Sequence, residues 1–353
     1  MMISKMARGA LGALAFGGIL SGALLSGGLG AQHALAQDFY AGKTITFLVG
    51  GNPGGGYDVY ARAISRHISK YIPGAPQIVV RNQPGAGSGT AAAAIYNTAP
   101  KDGTWVGILF PGVIMGPILD PKSRQTFDPA KFIYIASADS GTRVCITGQK
   151  SSIKTMKDAI ERKAVMGASA AGGSSRDYAY MLRHTAGAKF NVVSGYKGTP
   201  DIFLAIEQGE VDGTCGLDWS SLKAQRPTWV RDGLANVIVQ MGLKNEPELD
   251  KINVPNIWSF VSSAEDKTAV ELVLAQQIFG RPYVVAPGTP EPAVAALRKA
   301  FMAVFKDKDF LADAEKSRID INPTSGEDVQ KLVAEIFAAK PNVVERAKKI
   351  TQE

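Results

Sequence analysis

This 353-residue sequence has only two cysteines and three histidines, and each scarcity removes a class of chemistry. His67 and His184 fall in helical stretches with no cysteine, histidine or carboxylate at ligand spacing, so no metal site is expected. The same scarcity leaves a general-base mechanism without its usual side chain. Lysine and arginine outnumber acidic residues 39 to 32, but they form no stripe, which argues against nucleic acid as a partner. Neither N-terminal glycine loop is followed by Gly-Lys-Ser/Thr, which excludes a P-loop, and Gly85-Ala86-Gly87-Ser88-Gly89 lacks the spacing of a dinucleotide fingerprint. Beyond the first 36 residues no apolar run is long enough to span a bilayer.

Within those first residues a processing segment is expected. Lys5 and Arg8 form a short positive n-region, an uncharged stretch runs from Gly9 to Gly30, and Ala34-Leu35-Ala36 presents a small-residue cleavage site before Gln37. Glycine and serine dilute the stretch too much for a membrane anchor, and the cleavage region has no cysteine to carry a lipid. Residues 1–36 read as a signal peptide, which places the mature chain in the periplasm. Its removal leaves roughly 320 residues, enough for two lobes because single cores stop growing at about 250–300 residues. The mild positive excess that survives the loss of Lys5 and Arg8 suits small acids. Cys145 and Cys215 both remain, in β-like runs and in an oxidising compartment. They either pair in a disulfide or stay as buried thiols, and spacing alone does not choose.

The mature chain alternates strand and helix patterns, the signature of an α/β architecture with largely parallel sheets. Predicted strands include Ile45 to Val49, Ile78 to Val80, Trp105 to Phe110, Phe132 to Ala138 and Asn236 to Gln240. Predicted helices include Asp58 to Tyr71, Ser88 to Tyr96, Ser151 to Lys163 with Ser152 as a cap, and Pro200 to Gln208. Three glycine-rich turns stand between a strand and a helix, at 50–58, 84–89 and 167–175. A strand that breaks into glycines and then opens a helix directs bare backbone N–H groups at an anion. Three such cradles with few catalytic side chains point to binding rather than turnover.

Six short motifs run across nearly the whole mature chain. They are Pro53-Gly54-Gly55-Gly56-Tyr57-Asp58 with Ala61-Arg62, Asn82-Gln83-Pro84-Gly85-Ala86-Gly87, Ala99-Pro100-Lys101-Asp102-Gly103-Thr104, Tyr196-Lys197-Gly198, Gly209-Glu210-Val211-Asp212 and Ala286-Pro287-Gly288-Thr289-Pro290. In these the chain resembles the Bug-type extracytoplasmic solute receptors of tripartite tricarboxylate transporters. The resemblance implies a two-lobed periplasmic binding protein of type II, a Venus flytrap, with 37–140 and 246–353 as one lobe and 141–245 as the other. It also implies a small organic acid held in the cleft and large and small membrane permease subunits as partners. Neither cofactor nor metal is expected, and the chain is expected to act as a monomer.

Carried onto this chain, the first-lobe contacts fall at Gly51, Asn52 and Asp58, helped by Ala86, Gly87 and Ser88. The second-lobe contacts fall at Ser169, Gly172, Ser174 and Ser175, with Tyr196, Lys197 and Asp218 nearby. Gly50-Gly51-Asn52 stands where the family has Pro-(Phe/Tyr)-Pro, so an aromatic wall is expected to be missing and the ligand to be more polar or bulkier.

Several residues carry two readings. Asp58 either stabilises the start of its helix or positions a water, since beside a bound carboxylate it would repel. Ser88 reads as an N-cap, a cleft donor or both. Lys197 reads as a solvated turn charge or a cation at the rim, and Trp219 as cleft wall or core. An exported hydrolase using Ser169 fits poorly, because Gly167-Ala168-Ser169-Ala170-Ala171 lacks the second glycine of a nucleophile elbow. A ligand-presenting sensor for a two-component system stays open beside transport, as does the identity of the acid.

Overall fold

The computed structural model describes residues 39–119, 126–169 and 173–353; the expected signal peptide 1–36 and the candidate site residue Gly172 lie outside them. The first run comprises β1 (Thr44–Val49), α1 (Gly56–His67), β2 (Gln77–Asn82), α2 (Gly89–Asn97), β3 (Trp105–Ile108), α3 (Pro111–Leu119) and β4 (Ile133–Ser137). A second follows with β5 (Arg143–Gly148), α4 (Met156–Glu161), β6 (Ala164–Ala168), α5 (Ser174–Ala186), β7 (Phe190–Ser194), α6 (Thr199–Gln208), β8 (Gly213–Asp218), α7 (Trp219–Gln225) and β9 (Ala235–Met241). The remainder holds α8 (Pro247–Asp250), α9 (Ala264–Ala275), β10 (Pro282–Val285), α10 (Glu291–Val304), α11 (Lys308–Lys316), β11 (Thr324–Ser325), α12 (Gly326–Phe337) and α13 (Pro341–Thr351). No described helix is long and apolar enough to cross a membrane.

These elements form two lobes, each around one sheet. The first sheet has the order β11-β4-β10-β3-β1-β2 and the second β7-β6-β8-β5-β9. Both are mixed, not largely parallel as the alternating pattern suggests. β1 is parallel to β2 and β3, and β6 to β7 and β8. β10, however, runs antiparallel to β3 and β4, and β5 antiparallel to β8 and β9. A helical crossover makes parallel only the two strands it joins. β5 and β10 each follow a passage from one sheet to the other, so no such crossover sets their direction.

Helices cover both faces of each sheet, so the central strands read as continuous apolar runs; β1 is buried from Ile45 to Val49. One face of the first sheet packs Phe47, Tyr283 and Phe301 in mutual ring contact, and the other packs Leu48, Ile95 and Tyr134. The range 246–353, assigned on sequence to the first lobe, divides in the structure. β10, α10 and α12 pack along β4 of the first sheet. By contrast, Ala269, Val270 and Leu274 of α9, with Ala347 and Ile350 of α13, sit in a core of the second. Amphipathic periodicity shows that a helix has an apolar face, not which sheet receives it. The helix expected from Ser151 is also shorter, because a capping box between Thr155 and Asp158 starts it later.

Cys145 and Cys215 form a disulfide between adjacent strands β5 and β8, and both are fully buried. A bulge lies there, one residue of β5 facing two of β8. Gly216 takes up the extra residue at φ +62°, a left-handed conformation that favours glycine.

Candidate functional site

A cavity of about 400 Å³ lies between the lobes. Several helices from both lobes begin at it. α1 starts after Gly55, α2 after Ser88, α5 after Gly173 and α6 after Gly198; all four N-cap residues line the cavity and none makes a side-chain cap hydrogen bond. Of the helices that start elsewhere, α4, α8, α9, α11 and α12 are capped by the side chains of Thr155, Glu246, Ser263, Asp307 and Ser325, whereas α10 and α13 open on Pro290 and Lys340 without one. Uncapped helix starts leave backbone N–H groups unpaired at the positive end of the helix dipole. Four of them around one space favour an anion there.

Most of the residues singled out on sequence come together here. Gly51, Asn52, Ala86, Gly87 and Ser88 line the cavity from the first lobe. Ser169, Ser174, Ser175, Tyr196, Lys197 and Asp218 line it from the second. Ser175 Oγ accepts from the Ser169 amide at 2.9 Å and lies 3.0 Å from Ser169 Oγ, which fixes the end of β6. Across the mouth the lobes nearly touch, since a Cβ at Gly198 would lie 3.4 Å from Asn52 Nδ2.

Asp58 is not in the lining. Its carboxylate accepts from the Gly54 amide and from Arg62 Nε, both at 2.9 Å. Arg62 in turn donates to Asn82 Oδ1, and Asn82 Nδ2 donates to the Gly51 carbonyl at 3.0 Å. Burial works against the Asp58 charge, but the bonds from Arg62 and Gly54 more than offset it and hold the acid below the ordinary carboxylate range. Asp58 thus braces the first glycine loop from behind. Trp219 is also outside the lining, its indole N–H donating to Glu248 at 2.6 Å. Ser88 occupies the N-cap position with φ +81°, yet its buried Oγ has no hydrogen-bond partner among the described residues.

The aromatic wall expected to be missing is present, supplied by other positions: Tyr57 and Phe110 line the cavity with ring centroids 4.4 Å apart. Sequence reasoning also missed two buried arginines. Arg143 opens β5 and lines the cavity, while Arg281 precedes β10 and is fully buried. Asp218 bridges them, 3.3 Å from Arg143 Nη1 and 2.6 Å from Arg281 Nη1. Arg281 Nη2 also donates to Ser221 Oγ at 2.7 Å, and its guanidinium lies 4.3 Å from the Tyr57 ring centroid and 4.9 Å from that of Tyr60. Nothing local in the sequence marks such a cluster, because its members lie far apart in the chain.

Asp139 sits close to this cluster, buried, with Asn322 donating to Oδ1 and Ser220 to Oδ2. Burial and the Asp218 charge push its acid up to about 6, against the pull of Arg281. An acid raised in the folded state favours folding while protonated, and that advantage fades as pH rises from its unfolded value through about 6. Above that range the ionised carboxylate costs about 3 kcal/mol at 1.36 kcal/mol per unit. Asp139→Asn should therefore raise the unfolding free energy at pH 8 by about 1–3 kcal/mol and change it little at pH 4. Urea melts of the two proteins at both pH values test this; equal differences at both would rule out the titration.

No family model matches the chain. A UPF0065 protein of the tcbD-tcbE intergenic region in Pseudomonas sp. strain P51 is 32% identical over 104 residues, 30% of each chain. Another, from the TAR-I ttuE-ttuC' intergenic region of Agrobacterium vitis, is 28% identical over 189 residues, 52% of this chain and 53% of the relative. The matches span less than a third of the first relative's length and about half of the second's. In structure, the periplasmic binding protein BugD superposes with a TM-score of 0.65 at 20% identity, covering 88% of this chain and 98% of BugD. MatC from Rhodopseudomonas palustris, solved with bound malate, gives 0.64 at 21% identity over 86% and 99%. Rpa4515 from R. palustris, solved with adipate, gives 0.67 at 18% over 86% and 97%. The chain therefore has the two-lobed α/β fold of the TctC and BugD solute-binding proteins, and UPF0065 proteins are its relatives in sequence.

Proposed function

We propose that this chain is an exported receptor of the Bug type that clasps a small organic carboxylate between its lobes and delivers it to a tripartite tricarboxylate-type membrane permease. The observation that carries this reading is the convergence of uncapped helix starts from both lobes on one cavity. Main-chain donors fixed on both walls favour an anion most when the lobes are shut, so capture and closure are coupled. The malate and adipate held by two proteins of the same fold support the carboxylate class. The Ala34-Leu35-Ala36 cleavage signature supports export.

A thermal-shift screen over citrate, malate, adipate and benzoate, each beside its neutral amide, tests the reading. An acid that binds only the folded chain stabilises it by RT ln(1 + [L]/Kd), about 2.7 kcal/mol at a hundredfold excess over Kd. At least one acid should raise the melting temperature while its amide does not. If a neutral sugar or a metal ion raises it and every acid fails, the proposal is wrong.

A further inference from the structure

The cavity carries more than a main-chain cradle. Arg143 is 3% exposed, and its Nη1 donates to Ser174 Oγ at 3.2 Å and to the Gly216 carbonyl at 3.0 Å. Its Nε, also buried, has no hydrogen-bond partner among the described residues. The carboxylate that reaches it, on Asp218, sits closer to Arg281, so two guanidiniums share one bridging acid. Asp139, the other buried acid close by, is bonded instead by Ser220 and Asn322. A buried guanidinium with an open donor and a shared counter-charge favours an incoming anion. Ser88, a lining residue of the opposite lobe, adds a second buried hydroxyl with no hydrogen-bond partner among the described residues, packed against Gly50.

One stretch of the wall is apolar. Tyr57 and Phe110 are packed as a tilted pair, and Pro84, Pro111 and Ile202 extend the apolar lining. Glycine at position 51 makes room for them, since a Cβ there would come within 3.1 Å of the Phe110 ring. Besides Arg143, the lining has one further cation, Lys197, which is exposed at the rim. A second carboxylate placed against the Tyr57 and Phe110 rings would exchange its hydration there for apolar carbon. The space itself, at roughly 30 Å³ per water, matches about a dozen waters, generous for a four-carbon acid.

Building on the receptor reading, we propose that the ligand is a monocarboxylate carrying an aromatic ring, its carboxylate set against Arg143 and Ser88 and its ring against Tyr57 and Phe110. Arg143 then supplies a formal ion pair where the sequence alone suggested dipoles only, and the aromatic pair selects the ring.

Titration calorimetry with 3-phenylpropanoate, benzoate, 3-phenylpropanamide, adipate and malate tests the assignment. One of the two ring acids should bind at least tenfold more tightly than adipate or malate, and the amide at least tenfold more weakly than its acid. Phe110→Ala should weaken the ring acid about tenfold and leave adipate within threefold. Arg143→Gln should weaken every acid. If that variant fails to fold, the amide comparison and Phe110→Ala decide without it. Adipate or malate binding as tightly as both ring acids, or equal losses for both classes in Phe110→Ala, overturns the aromatic assignment and leaves the carboxylate receptor standing. Failure of all four acids overturns both.

Discussion

Replacing Arg281 with methionine should lower the unfolding free energy by about 3–5 kcal/mol. Methionine matches much of the length and apolar stem of arginine, so the loss reports the guanidinium and not a hole. That guanidinium is 0% exposed, pairs with Asp218 at 2.6 Å, bonds Ser221 and lies over two tyrosine rings. Without it Asp218 keeps only the longer bond to Arg143, and Asp139 loses the positive charge that partly offsets its burial. A buried carboxylate left with too little counter-charge is far costlier than a pair replaced as a whole. Arg281→Met combined with Asp218→Asn should accordingly recover part of the loss, by about 1 kcal/mol or more. Urea denaturation of the two single variants and the double closes the cycle. A stability of Arg281→Met within 1 kcal/mol of the parent would show that the cluster does not hold the lobes together.

Removing the disulfide should have the second largest effect. Cys145→Ala with Cys215→Ala opens a cross-link that spans 70 residues of sequence. Loop-closure entropy for such a span, and the range measured for native bonds, put the loss at about 2–5 kcal/mol. The bond ties β5 to β8, the two strands that carry Arg143 and Asp218 to the cavity, so its loss loosens the floor as well as the lobe. Denaturant midpoints of the double variant and the parent measure the effect. Both sulfurs are fully buried, so a thiol-alkylating reagent under reducing conditions should label the parent only as fast as it unfolds. Equal midpoints, or labelling that outpaces unfolding, would contradict this account.

The sequence made the glycine-rich strand-to-helix turns legible, and Gly51, Gly87 and Ser174 do meet at one cavity. It also made the central strands legible, since burial on both faces writes a continuous apolar run. Three features were hidden for distinct physical reasons. Arg143 and Arg281 look like ordinary surface cations until the fold brings Asp218 between them. Phe110 reads as the end of a strand, and only the approach of Tyr57 from α1 turns it into a wall. Asp58 lies within a glycine motif that reaches the cleft, yet helix geometry points its carboxylate back to Gly54 and Arg62. Chain direction was misread for β5 and β10 because periodicity in a strand carries no sign of which way its neighbours run.

If the chain is the proposed receptor, its uncapped helix starts bear on how it can change over generations. Peptide N–H groups belong to every residue except proline, so substitutions at 52, 57, 174 or 175 that leave the tightly packed glycines 50, 51 and 56 intact keep that set of donors. On the proposed reading, the main-chain share of charge recognition is thereby insulated from drift, while the side chains at 57, 110 and 196 can vary and remodel the wall. Paralogues built this way can diverge in what they accept while all retaining a grip on acids.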